Sequence, residues 1–150
     1  MKKDLLSIYD LDRRDIDAIF SRAARLKELL DYKGGSITRQ DLDLLKWGRH
    51  FRLPGGVKAV VGRTQKENEA LLALRGAGDL VLKVDDYPGP LVLLCGEAAA
   101  GDLAEAAGLT AAYSDAPTGA LIRVTVLDAA PSRFVQLSVP PKDRFKELLI

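Results

Sequence analysis

The chain has 150 residues, 47% apolar and 29% charged, which suits one soluble domain with a real core. It has no apolar run near the ~20 residues of a membrane span, no apolar signal core at its N-terminus and one cysteine, Cys95. These features argue against a membrane partner, a secreted disulfide scaffold and a cysteine-rich zinc site, and they read as cytoplasmic. The net charge of +1 hides an asymmetry: residues 44–68 hold Lys46, Arg49, Arg52, Lys58, Arg63 and Lys66 with no acid before Glu67, whereas residues 84–122 hold six acids and no lysine or arginine.

Residues 12–30 place Ile16, Ile19, Phe20, Ala23, Leu26 and Leu30 at helical spacing behind Asp12, a favoured N-cap, and predict an amphipathic helix. The Gly34-Gly35 pair ends it. Thr38 is placed to cap a second, short helix carrying Leu42, Leu44 and Leu45. The two helices are expected to form a helical hairpin within residues 1–47, ahead of a second domain over 48–150.

A β-hairpin is predicted next, turning at Pro54-Gly55. A three-residue loop sets Arg52 opposite Lys58 and Phe51 opposite Ala59. That register gathers Phe51, Leu53, Val57, Ala59 and Val61 on one face and leaves His50, Arg52 and Lys58 on the other. Thr64 and Glu67 match the capping box T-x-x-E and open a helix with Leu71, Leu72 and Leu74 as its buried stripe and Gly76 past its end. Residues 79–84 and 90–95 read as short strands about a turn at Asp85-Asp86-Tyr87-Pro88-Gly89. A helix rich in small residues follows, with Leu103, Ala106, Ala107 and Thr110 on one face, and then two alternating strands over 120–127 and 134–139. The sum is an α+β domain: a mostly antiparallel sheet of about five or six strands, helices packed on one face, and the helical hairpin in front.

Catalytic and cofactor motifs are missing. There is no P-loop, dinucleotide fingerprint or H-E-x-x-H, the serines lack a nucleophile-elbow context, and His50 has no cysteine or second histidine with which to share a metal. No cofactor is expected. The basic window points instead to phosphate: an ordinary solvated face mixes signs, Arg52 beside Lys58 is a like-charge pair that an anion would relieve, and Arg63 and Lys66 flank a helix start.

Several motifs then fall in a familiar order. Gly62, Arg63 and Asn68 are followed by Asp79, Leu80, Asp86, Pro88 and Gly89, and later by Ala112, Tyr113 and Ser114. This order resembles the NFACT-R type of RNA-binding domain. Phe20 to Leu53 adds a likeness to the variant fused behind PP-loop ATPase domains in tRNA-thiolating proteins. Thr64 departs from the family, where many members carry Asn or Asp, and the PP-loop motif S-G-G-x-D-S is absent. The resemblance implies a non-catalytic module that binds RNA, tRNA in particular, as the substrate-binding part of a thiolation system whose PP-loop ATPase half is either missing or sits on another chain. Its RNA-binding residues would be Arg49, His50, Arg52, Lys58, Arg63, Lys66 and Asn68. Two alternatives stand beside it. One is a protein-interaction module whose basic face docks an acidic partner. The other follows from residues 3–28, which resemble the opening helix of ornithine and aspartate carbamoyltransferases, and is a fragment of that family without an intact active site.

Overall fold

The structure is a computed structural model that describes residues 12–150. The chain divides into two compact units, Met1–Lys46 and Trp47–Ile150. The part of the carbamoyltransferase-like stretch before Asp12 lies outside the described residues.

In the first unit, α1 (Arg13–Lys33) starts where the sequence places it. Asp12 accepts from the Asp15 N–H at 2.8 Å and Asp15 accepts from the Asp12 N–H at 3.1 Å, a reciprocal capping box. Gly34, at φ 56°, stops the helix in a left-handed conformation that costs glycine little. A 3-10 turn at Gly34–Ser36 leads to Thr38, which caps α2 (Arg39–Leu44) by accepting from the Asp41 N–H. Lys33 pairs with Asp41 at 2.8 Å across the connection.

The buried side of α1 is not the predicted stripe. Its buried residues are Arg25 and Leu29, while Ile19 is 52% exposed, Phe20 68%, and Leu26 and Leu30 are exposed as well. The Arg25 guanidinium donates to Leu45 O at 2.8 Å, just past the end of α2. A helix leaves its last carbonyls without internal partners and favours a cation there, and the buried Arg25 supplies one.

The second unit is one six-stranded sheet in the order β1-β2-β4-β3-β5-β6, every pair antiparallel. The strands are β1 (Arg49–Arg52), β2 (Lys58–Val61), β3 (Leu80–Val84), β4 (Val92–Leu94), β5 (Leu121–Val126) and β6 (Arg133–Ser138). The β1–β2 hairpin has the predicted register, Arg52 opposite Lys58 and Phe51 opposite Ala59. Between β2 and β3 runs α3 (Gln65–Leu74), and between β4 and β5 runs α4 (Ala100–Ala112).

Period-two alternation puts Phe51, Ala59, Val61, Leu82, Val92, Leu94, Ile122, Val124 and Val126 on one face, where they form a single cluster with Leu103, Ala106, Ala107 and Leu109 of α4. Alanine at these helix positions lets α4 lie close to the sheet. The opposite face is buried too at Val60, Val81 and Leu93, as is Leu71 of α3. Leu72, by contrast, is exposed. A 3-10 segment at Lys142–Leu148 buries Phe145 in the main cluster, and the residues after it cover the β1 edge, with Leu149 bridged to Phe51 and the Ile150 N–H donating to His50 O at 2.9 Å. An otherwise unpaired strand edge is thereby satisfied.

Candidate nucleic-acid interface

Two turns set up the site. At the entry to β1, Gly48 holds φ +70°, and a Cβ there would lie 2.6 Å from Val61 O, so only glycine fits. Beyond β2, Gly62 sits so close to the Asn68 amide oxygen that a side chain at 62 would collide with it. Asn68, one turn into α3, accepts from the Leu91 N–H at 3.2 Å, and the Gly62 N–H donates to Leu91 O at 3.0 Å. These bonds lock the Gly62-Arg63 loop to the start of β4. The Asn68 oxygen is used for this purpose, which leaves its NH2 group for the cleft it lines.

Thr64 caps α3 by accepting from the Glu67 N–H at 3.1 Å. The returning half of the expected capping box does not form. The Glu67 carboxylate accepts instead from the Arg63 N–H at 2.8 Å, from Arg63 Nε at 3.0 Å and Nη2 at 2.7 Å, and from the Gly48 N–H at 3.2 Å. Glu67 is a buried acid held by four donors, and the Arg63 hydrogen bonds foremost pull its pKa from 4.5 to about 2. The acid at the end of the basic window thus folds back into it. It neutralises Arg63 and leaves that guanidinium's Nη1 as the free arm.

Around this loop lies a cleft of about 370 Å³, whose walls include Arg49, Arg63, Asn68, Tyr113, Asp115 and Lys142. Tyr113, at the C-terminus of α4, is pinned edge-on by Phe51, with ring centroids 5.7 Å apart at 63°. Arg49 reaches over the Tyr113 ring at 5.4 Å and Lys142 at 5.1 Å. The ring attracts both cations, and both line the cleft. Neither has a carboxylate partner among the described residues.

Of the seven residues expected to meet RNA, the structure brings Arg49, Arg63 and Asn68 to this cleft. Lys66 stands exposed on the next turn, 6.0 Å over the Trp47 ring. Arg52, at the far end of β1, donates to Gly56 O at 3.1 Å. His50 and Lys58 are corrections. His50 is 0% exposed, with Nε2 2.9 Å from Trp47 O, and Lys58 is 7% exposed. The alternation that placed them on a charged face assumed that face met solvent, but it carries the buried Val60, Val81 and Leu93 as well. Side chains so enclosed do not reach a phosphate. Asp86 and Gly89 shape the β3–β4 turn as expected: Asp86 takes φ 65°, and a Cβ on Gly89 would come within 2.9 Å of the Ser114 side chain. Lys142, Tyr113 and Asp115 were missing from the predicted site. Only Tyr113 had a signal in the sequence, as part of its motif with Ala112 and Ser114.

The family described as "NFACT protein RNA binding domain" matches residues 48–147. No curated protein matches the chain. Among solved structures, the C-terminal part of the fibronectin/fibrinogen-binding protein from Streptococcus suis is similar, with a TM-score of 0.61 and 19% identity over 83% of this chain. The present chain spans 58% of that one, and at this identity the likeness concerns the fold. With two thirds of its length matched and the Gly62-Arg63, Asn68 and Tyr113 elements assembled in one place, the chain belongs to the NFACT RNA-binding domain family.

Proposed function

We propose that the RNA bound by this domain is tRNA, that it is gripped at the cleft between the Gly62-Arg63 loop and Tyr113, and that the chain performs no catalysis of its own. The observation that carries the reading is the convergence of Arg49 and Lys142 on Tyr113, two cations over one ring that line one cleft and pair with no carboxylate among the described residues. Holding like charges together costs energy that a phosphate returns. Arg63 and Lys66 extend the same patch, and contacts of this kind position a nucleic acid without reading its sequence. The chain then serves as the substrate-binding part of a tRNA-thiolation system that also uses a PP-loop ATPase domain. The test is charge reversal: Arg49→Glu with Lys142→Glu abolishes binding to tRNA while thermal unfolding still shows a cooperative transition. Undiminished affinity in that folded variant would end the reading.

The exposed stripe on α1 favours a second role alongside the first. Ile19, Phe20 and Leu30 present an apolar helix face of the kind that docks a protein, and the ATPase domain is the partner this reading supplies. Phe20→Asp would separate the roles, with co-purification of the ATPase lost and tRNA binding kept.

A further inference from the structure

Asp115 is out of place in a cleft built for a polyanion. It lines the same space as Arg49 and Lys142, yet its carboxylate pairs with neither. Its backbone is fixed, the N–H donating to Pro88 O at 2.8 Å, so the residue is held at the rim. A carboxylate repels a phosphate and costs affinity unless the ligand brings it a hydrogen-bond donor.

We propose that the cleft takes one nucleotide of a single-stranded RNA, its phosphate between Arg49 and Lys142 and its ribose 2′-hydroxyl donating to Asp115, so that Asp115 makes the site select RNA over DNA. The proposal rests on the RNA-binding reading above. The 2′-hydroxyl is the group by which a protein tells the two nucleic acids apart, and a ribose hydroxyl donating to an acidic side chain is established chemistry in dinucleotide sites. A ribonucleotide carries both features the cleft asks for, an anion and a neutral donor, on neighbouring atoms of one unit. A cleft of about 370 Å³ is in the range of small-ligand sites and holds one unstacked nucleotide. A duplex presents its phosphates on a convex surface and cannot enter so small a recess. Tyr113, packed edge-on against Phe51, forms one wall of the cleft that Arg49, Lys142 and Asp115 also line.

The experiment measures binding of the full chain to a short single-stranded RNA, to DNA of the same sequence and to the 2′-O-methylated RNA, at one ionic strength, by fluorescence anisotropy. The wild type is expected to prefer RNA by about tenfold over both analogues, the scale of one hydrogen bond to a charged acceptor. Asp115→Ala weakens RNA binding, leaves DNA binding equal or stronger because a repelling charge is gone, and brings the ratio near one. Asp115→Asn, which keeps an acceptor, retains part of the preference. The side chain has no partner among the described residues, so neither variant should disturb folding. RNA binding with no preference over DNA, or a preference that survives Asp115→Ala, overturns the proposal and leaves the RNA-binding reading standing. Absence of binding to every probe overturns both.

Discussion

The Glu67 carboxylate joins three segments of the site, and its removal has a calculable cost. It accepts from Gly48 N–H, Arg63 N–H and two nitrogens of the Arg63 guanidinium. Its folded pKa of about 2, against 4.5, amounts to roughly 3 kcal/mol of pH-linked stability. Arg63 is half exposed, so solvent screening brings the realistic figure to about 1–3 kcal/mol. The sign follows from the depressed pKa: the stabilisation is complete above pH 4.5 and is lost as pH falls toward 2. Glu67→Gln keeps one acceptor but loses the charge, and is expected to lower stability by about 2 kcal/mol at pH 7, a large part of a domain's typical 5–15 kcal/mol. Urea denaturation at pH 7 and at pH 3 measures both quantities. The wild type should lose stability between the two conditions by more than the variant does, so that the curves draw together at low pH. Equal stability at pH 7, or a gap that persists at pH 3, would refute the assignment of Glu67 as the ionised centre of this network.

Asn68→Ala removes the acceptor for the Leu91 N–H and is expected to cost about 1–2 kcal/mol; it frees the Gly62-Arg63 loop, so RNA affinity falls as well, and chemical denaturation with parallel binding assays checks both effects. Lys58→Met keeps the length of a buried side chain and removes a charge the cleft does not use, so RNA affinity and its salt dependence should match wild type; a weakened complex from a folded variant would return Lys58 to the interface.

Much of the fold was legible because it rests on local rules. Asp12 and Thr38 cap where such residues cap, the Pro54-Gly55 turn set the β1–β2 register, and period-two alternation found the core face of β1, β2 and β5. The errors share a cause, which is tertiary contact over long separations. The apolar stripe of α1 looked inward, whereas its buried positions are Leu29 and Arg25, which bonds Leu45 O twenty residues away. His50 and Lys58 looked solvent-facing because alternation alone cannot show that both faces of the sheet are buried. Glu67 seemed to mark the end of the basic window, whereas the carboxylate folds back onto Arg63. At the site, residues 49–68 announced themselves by charge, but Lys142 joins Arg49 only through Tyr113, which no spacing rule could reveal.

The salt dependence of tRNA binding tests the central claim most directly. If the exposed Arg49 and Lys142 clasp one phosphate and Arg63 and Lys66 each meet another, the logarithm of the association constant should fall with the logarithm of salt concentration with a slope of about −2 to −3. Arg49→Gln with Lys142→Gln, which empties the shared phosphate position, should reduce that slope by roughly one, the signature of a single lost phosphate contact. A wild-type slope near zero, or an unchanged slope in that double variant, would contradict the account that the Tyr113 cleft is where this chain holds RNA.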